Sequence, residues 1–572
     1  MDRHEARAEP IAPELLHRFI GGKGLAGHFL LENASSEWSS PEMPILLFAG
    51  PLVGTSSPTS GRMTIMSRSP LTGTVGDTSV GGGLGHQLKK AGWDGIIVTG
   101  HSSGWTGIEI EDDQVRFEDA TGFVGCSLRE IHDRLKSAGS VAAIGPAAEN
   151  GVRFASIMVD RHYSAGRNGL GLTFAAKNLR YIRISGTGKV KVHDPAGLKS
   201  AREEVFRLVA ASPILLGEQG LTHYGTPAIY DLMHARRMMP TDNFRSTHFD
   251  AAPSMNAHSY KKQFQSRKAG CKGCHILCKR HAADGRAMPE FETMSHFSAL
   301  LKNEDMETVV EANRICNEMG MDTITAAVTL ACHAEIRGKS LAPAEILSLL
   351  EDIGYGRGVG RELGEGSLRY ATANAHPEMS ITVKGMELPA YDPRGAYGMA
   401  LAYATSTRGG CHLRAYPISH EILRKPVATD RFSFSGKARI IKIAEDLNAV
   451  VDSLTACKFV FFASSLEEYA KAYTAVTGEA MTAQDLLRIG ERIYYQERII
   501  NYNNGFRADD DDLPARFFSE RGSDGNGIDV PPLPREEFLN ARSRYYHVRG
   551  LDETGRPLAA KAKELELAWN DS

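Results

Sequence analysis

Three cysteines fall within eight residues: Cys271, Cys274 and Cys278, in the run AGCKGCHILCKR, with C-x2-C-x3-C spacing. Thiolates this close repel one another unless protons or a cation neutralise them. The surrounding chain must therefore fold to present one soft metal centre. Two fillings satisfy the spacing. One is Zn²⁺, with His275 or His281 as a fourth ligand. The other is an iron–sulfur cluster completed by a remote cysteine. Spacing does not choose between them, and the bland alternative is a set of buried, unreacted thiols. The five remaining cysteines, Cys126, Cys316, Cys332, Cys411 and Cys457, are scattered. That pattern argues for a metal site rather than a disulfide framework. Cys457, in VDSLTACKF, is available as a distant thiolate, although by itself it reads as a core cysteine.

At 572 residues the chain has room for roughly three to four domains, or fewer large ones. Short apolar runs such as PILLFAG, DGIIVTG, SVAAIG and YIRISG are bounded by Gly, Pro, Ser and Thr. They make residues 44–190 a region of strands and turns. From about 195 the apolar residues recur at three- and four-residue spacing. This predicts helices over 196–212, 305–319, 324–336, 343–353 and 437–451. The Pro/Gly-rich stretch ITVKGMELPAYDPRG (381–395) marks a boundary within the helical part. RADDDDLPARFF (507–518) reads as an acidic surface loop, and KAKELELAWNDS as a last helix. No repeat of solenoid period is present. No run of eighteen apolar residues occurs, so no membrane span is expected. The charged N-terminus lacks the apolar segment of a secretory signal, and a cytoplasmic protein is expected. A net charge of −3 gives no electrostatic reason to bind nucleic acid or an anionic membrane.

Glycines bunch in TSSPTSGRMTIMSRSPLTGTVGDTSVGGGLG (55–85) and SAGRNGLG (164–171). Dense glycine lets backbone N–H groups approach phosphate oxygens, and Arg62, Arg68 and Arg167 can pair with phosphate in bidentate fashion. Neither loop has the G-x-G-x-x-G spacing, and G-x-x-x-x-G-K-[ST] is absent from the chain. The structural alternative is a set of tight turns in a β domain. Two six-residue segments look alike: NEMGMD (Asn317 to Asp322) and DSLTAC (Asp452 to Cys457). Each follows a helical run. A carboxylate there can accept two parallel N–H bonds from the amino-pyrimidinone edge of a pterin. Asp322-Thr323 serves equally as the start of the next helix, with Asp322 as N-cap.

Together these segments resemble the aldehyde:ferredoxin oxidoreductase family. The resemblance runs through RFIGGKGLAGHFL, SGR…SPLTG..GD…GG, GPAAENGVRF, SAGRNGLG..FAAKNL, the cysteine motif and PEFET. It continues through VKGMELPAYDPRGAYGMALAYATSTRGGCHLRA to DSLTACKF. It implies an α+β fold: a β-rich N-terminal domain (1–190) forming the cofactor base, then two mainly helical domains (191–385 and 386–572). It implies tungsten, or molybdenum, held by two pterin dithiolenes, with Mg²⁺ bridging their phosphates and a [4Fe–4S] cluster beside one pterin. Cys271, Cys274, Cys278 and Cys457 match the cluster ligands. Arg62 matches the arginine between cluster and pterin. Asn317, Asp322, Thr323 and Asp452 fall on the two pterin turns, and Ser79, Gly81, Gly82 and Arg167 on the glycine loops facing the cofactor. Glu292, in PEFET, and His412, in GGCHLRA, match the active-site glutamate and histidine.

Three departures stand out. Asn317 replaces the usual aspartate, and an amide both donates and accepts. Ser79 stands in GDTSVGG where the family often has asparagine. The family's opening hairpin has no counterpart before RFIGG, so the first sheet is expected to lack strands or to be completed by a partner. The implied activity is oxidation of an aldehyde to a carboxylic acid, or the reverse. Glu292 acts as general base and His412 steadies charge on the substrate oxygen. Electrons leave for a ferredoxin or an iron–sulfur subunit, and the resemblance also leaves a homodimer open. Cys411 is discounted as a nucleophile, having no separate base and orienting group. The rivals are reduction of aromatic acyl-thioesters by a relative of this family and a zinc-stabilised scaffold without pterin.

Overall fold

The computed structural model describes residues 1–135 and 139–569. Strand β1 (Ile45–Phe48) is apolar and buried at every position. It is an inner strand of a four-stranded sheet of order β3-β2-β1-β4, with β2 spanning Met63–Arg68, β3 Val75–Val80 and β4 Gly95–Val98. All its pairings are antiparallel. The edge at β3 meets the helical half: Val75 N donates to Asn501 Oδ1 at 2.9 Å. A second sheet has six strands in the order β6-β5-β10-β7-β8-β9. These are β5 (Thr106–Glu111), β6 (Gln114–Asp119), β7 (Ser140–Ile144), β8 (Ile157–Val159), β9 (Tyr163–Ala165) and β10 (Leu179–Ser185). The pairing of β5 with β10 is parallel. The edge strand β6, QVRFED, has no fully buried residue, whereas β7, SVAAI, is buried throughout. Charged side chains on an exposed edge discourage pairing with another chain.

The helical periodicity is realised closely. The expected helices are Pro195–Ala210, Met306–Met319, Thr323–Ile336, Pro343–Gly354 and Lys437–Ser453. Local chemistry sets their ends. Asp194 and Asp305 each accept two backbone N–H bonds as N-caps, and Gly320 ends Met306–Met319 at φ 76°. Tyr397–Thr405 is buried on every side, as its uniformly apolar sequence requires. The tail supplies the short helix Ala559–Glu564, and residues 570–572 lie outside the described residues.

One expectation needs correction. The acidic run at 507–518 is not wholly a surface loop. Asp511 is 2% exposed, bonded to Arg498 at 2.7 Å and Lys384 at 2.6 Å. Two cations from elements remote in sequence pull one carboxylate of the run inside. The stretch 381–395, where a boundary was expected, is itself ordered. It forms a two-stranded ladder, Thr382–Val383 with Met386–Glu387, and Glu387, Asp392 and Arg394 are fully buried.

Buried charge also locks the C-terminal helices together. Arg549 is fully buried and bonds Glu445 at 2.6 Å and Asp446 at 2.5 Å on helix Lys437–Ser453. Removing one partner of such a cluster strands the others without water. Arg549→Met should therefore cost about 3–5 kcal/mol of stability, measured as a fall in the thermal unfolding midpoint. An unchanged midpoint would show that the two carboxylates find protons or water at no cost.

Candidate functional site

A cavity of about 1390 Å³ is walled by both the β-rich half and the helical half. One wall is the cysteine turn. Strands β11 (Arg267–Ala269) and β12 (Lys279–His281) pair antiparallel, so Cys271, Cys274 and Cys278 sit on the loop that joins them. Gly81 lets the turn approach: a Cβ there would stand 2.6 Å from Cys271 Sγ. Cys457 arrives from the far end of the chain, held by its N–H bond to Thr59 O at 3.0 Å. All four thiols line the cavity. Burial raises Cys274 and Cys278 above the ordinary thiol range. Burial, with Cys274 and Cys271 close by, pushes Cys457 up to about 11 against the pull of Arg62. Unliganded, Cys274, Cys278 and Cys457 keep their protons. Binding an electrophilic metal would release them.

Arg62 lies among the thiols. Its Nε donates to Ser79 Oγ at 2.8 Å, and it also bonds Ser79 O. Burial disfavours its charge, but Cys457, Cys271 and Asp452 outweigh that and raise it. His275 and His281 do not join the thiols. His275 stacks on Phe206 at 4.0 Å, and His281 meets the ring of His162 at 4.8 Å. Among the described residues, no three His, Cys, Asp or Glu side chains converge tightly enough for a single metal ion.

The two six-residue motifs are turns pressed onto the β-rich half. At the first, Asn317 lies in the last turn of helix Met306–Met319, not beyond it, and lines the cavity. Ser156 N donates to Gly320 O at 2.7 Å, and Asp322 N donates to Phe154 O at 3.1 Å. Asp322 does cap the next helix, accepting from Thr325 N at 3.1 Å, and also pairs with Arg167 at 3.3 Å. Thr323 Oγ1 lies 2.8 Å from Thr293 Oγ1. Arg167, at φ 67°, donates to Glu387 O at 2.5 Å and Gly410 O at 3.1 Å, so it spans both halves of the chain.

At the second turn, Thr64 Oγ1 donates to Asp452 O, and Gly24 N to Ser453 Oγ, both at 3.0 Å. A Cβ on Gly22 would meet Asp452 O at 2.6 Å. Here the sequence reading missed a motif. Gly22, Gly24 and Gly27 do have G-x-G-x-x-G spacing, but they open helix Gly22–Leu31 with no strand before it. Their role is close packing on the second turn. The run GKGLAG was the available signal. Lys23 within it is 1% exposed, 2.5 Å from Glu497 and 3.5 Å from Asp77. Asp77 also pairs with Arg414. Asp452 bonds Lys458 at 2.8 Å. Burial works against its ionisation, but Lys458, Lys23 and Arg414 together hold it below the usual carboxylate range.

Glu292 and His412 face each other. Glu292 opens helix Phe291–Phe297, where Ala390 N donates to its Oε2 at 2.7 Å. Its Oε1 lies 3.4 Å from His412 Nε2. Burial raises Glu292 to about 7, although the Ala390 bond opposes the shift. Burial, helped by Arg167, Arg408 and Lys458, depresses His412 well below the usual imidazole range. Near neutrality Glu292 is therefore poised to gain or lose a proton, while His412 stays neutral. His296, Tyr391 and Tyr416 were not foreseen. His296 Nδ1 bonds Glu292 O at 2.7 Å, one helical turn away, a spacing visible in EFETMSH. The ring of Tyr391 lies tilted 5.5 Å from that of His412, with its hydroxyl 3.2 Å from that of Tyr416. Nothing in the sequence linked those two tyrosines.

Among the described residues, Asp452 Oδ1, Arg414 Nε, Glu292 Oε1 and His412 Nδ1 are buried without a hydrogen-bond partner. All four residues line the cavity. Orphaned groups of both signs at one site mark a place for a polar ligand. The set offers a carboxylate acceptor at Asp452 and fixed cations at the arginines to such a ligand.

A sulfur-lined, cation-rimmed cavity with a buried proton-exchanging pair belongs to the equipment of redox enzymes, and the comparisons agree. Residues 1–186 match the family described as aldehyde ferredoxin oxidoreductase, N-terminal domain, and residues 200–567 match aldehyde ferredoxin oxidoreductase, domains 2 and 3. The tungsten-containing aldehyde ferredoxin oxidoreductase of Thermococcus kodakarensis is 36% identical, over 99% of this chain and 97% of its own length. Its namesake from Pyrococcus furiosus is 35% identical over the same shares. The aliphatic sulfonate oxidoreductase, WOR-like subunit, of Pyrococcus furiosus is 25% identical over 99% of this chain and 96% of that one. The active site complex BamBC of benzoyl coenzyme A reductase shares the fold, with a TM-score of 0.83 at 20% identity, over 97% of this chain and 94% of that one. The chain is an oxidoreductase and belongs to the aldehyde ferredoxin oxidoreductase family.

Proposed function

We propose that this enzyme interconverts aldehydes and carboxylic acids at a tungsten, or molybdenum, bis-pterin centre and passes the electrons through a [4Fe–4S] cluster to a ferredoxin or an iron–sulfur subunit. The observation that carries the reading is the arrival of Cys457 at the cavity wall already formed by Cys271, Cys274 and Cys278. A set of four thiols from two distant segments, with the Arg62 cation among them, suits an iron–sulfur cluster. Asn317, Asp322, Thr323 and Asp452 would hold the two pterins. Ser79, Gly81, Gly82 and Arg167 would face their phosphates and the Mg²⁺ between them.

When bound, the metal supplies Lewis acidity and a two-electron redox couple. The protein supplies the rest. Tyr391, Tyr416 and Phe291 wall the space beside Glu292 and His412 with aromatic surface. Glu292, once ionised, takes the proton lost as the aldehyde or its hydrate is oxidised. Neutral His412 donates a hydrogen bond to the substrate oxygen rather than a full charge.

The pH dependence follows from Glu292. A base must be deprotonated, and burial has raised this one to about 7. In the oxidative direction kcat/KM should climb with pH through neutrality and level off above it. A profile flat across neutrality would remove Glu292 as the base.

Metal analysis tests the whole reading. A brown protein with about four irons and one tungsten or molybdenum per chain supports it. A colourless protein with one zinc supports the scaffold instead. Assays of aldehydes with viologen dyes, set against aromatic acyl-thioesters and aliphatic sulfonates, separate the substrates.

A further inference from the structure

We infer that Tyr416 is the steric gate of the reaction site. Its ring passes aldehydes that are linear or flat at the carbon beside the carbonyl and holds back those branched there. The inference rests on the aldehyde reading above and narrows it to a substrate class. Tyr416 stands at the inner end of a graded wall. Its ring lies 6.1 Å from that of His412 and 5.9 Å from that of Phe462. Beyond it the cavity lining runs through half-buried Ser419, His420 and Leu423 to exposed Lys425. Leu208 and Ile443 also line the cavity, yet are 37% and 53% exposed. The mouth therefore offers apolar surface to a substrate tail, and the narrowing falls at the tyrosine.

The gate is held rigid. Tyr391 and Tyr416 meet edge to face at 5.8 Å, and their hydroxyls are 3.2 Å apart. Two rings tied at their hydroxyls make a fixed corner beside Glu292 and His412, not a flap. The backbone is fixed as well. Tyr416 has φ 52°, although it is bulky and precedes a proline, which favours extended geometry. Its carbonyl accepts from Ser419 N at 3.3 Å and from Ser419 Oγ at 3.2 Å. Just before it, Asn448 Nδ2 donates to Arg414 O at 3.0 Å. Strain of this kind persists only where the surroundings impose it, and here it aims the ring into the cavity. A branch on the substrate must then displace a packed side chain. In an apolar pocket one added carbon changes selection by about 10–200-fold.

Tyr416→Ala tests the gate, because alanine keeps the cost of a positive φ and removes the ring. Values of kcat/KM for butanal and 2,2-dimethylpropanal are compared with methyl viologen as acceptor. Wild type, Tyr416→Ala and Tyr416→Phe are assayed together. Tyr416→Leu, also slimmer than the native ring, keeps the test open should alanine cost the fold. Only the change between variants is read, so the intrinsic reactivities of the two aldehydes cancel. The preference for butanal should fall about tenfold or more in Tyr416→Ala, and in the same direction in Tyr416→Leu. Tyr416→Phe keeps the ring and should keep the preference within about twofold of wild type. An unmoved preference in the alanine and leucine variants overturns the gate. So does an equal shift in Tyr416→Phe, which would assign the selection to the hydroxyl. Titration calorimetry with the matching acids, butanoate and 2,2-dimethylpropanoate, should show the same change in preference. If wild type reduces no viologen with any aldehyde, the aldehyde reading fails, and the calorimetry still decides the gate.

Discussion

Glu292→Gln is expected to abolish aldehyde turnover, lowering kcat by about 10²–10⁴-fold, the usual contribution of a positioned base. Iron and tungsten contents should stay as in wild type. The amide matches the carboxyl in shape and can still accept the bond from Ala390 N, which is 2.7 Å long in the native site. It cannot take a proton at neutral pH. Glu292 lines the cavity apart from the four thiols, so the cluster site should assemble undisturbed. Steady-state kinetics with a viologen dye, together with metal analysis of the same sample, gives both readouts. Normal turnover at normal metal content removes Glu292 from the mechanism. Lost turnover with lost tungsten would make its role structural.

Cys457→Ser should have an effect of similar size by a different route. The other three thiols come from one hairpin loop, and Cys457 alone is supplied by the C-terminal part of the chain. A serine hydroxyl is a poor ligand for iron. The variant should therefore lose most of its iron, its colour and its ferredoxin-dependent turnover. Cys126→Ser, at a half-exposed cysteine bonded to Arg134 rather than facing the cavity, is the matched control and should keep all three. Full iron and a native electron paramagnetic resonance signal in Cys457→Ser would show that the cluster is not held by these four sulfurs.

Viologen assays bypass the protein electron acceptor, so they report on Glu292 and Cys457 without interference from partner binding.

Much of the fold was legible in advance because local rules decide it. Helix Met306–Met319 begins at Asp305, which caps it, and stops at Gly320, which can adopt a positive φ. Both residues are visible in the sequence, and the apolar spacing between them fixes the buried face. For helix Lys437–Ser453 the apolar spacing alone was the signal, and for β1 the four-residue apolar run. The cysteine loop was legible for another reason: three thiols within eight residues allow few chemical explanations. What the sequence withheld was the pairing of distant charges. Asp511 sits in an acidic run that looks solvated, and only the positions of Arg498 and Lys384 draw it inside. The glycines of GKGLAG look like a nucleotide loop in isolation, whereas the fold uses them to seat the Asp452 turn.

Residue types and their spacing determined on their own that the chain has a β-rich first part, a helical remainder and a soft-metal loop, since each follows from interactions among residues close in sequence. Only the tertiary structure decided that Cys457 meets that loop, that Glu292 lies against His412, and that Tyr391 and Tyr416 wall the space beside them. Those contacts join residues from 25 to nearly 200 positions apart. Burial shared between distant segments sets them, together with the removal of water that shifts Glu292 to about 7. No local pattern encodes either.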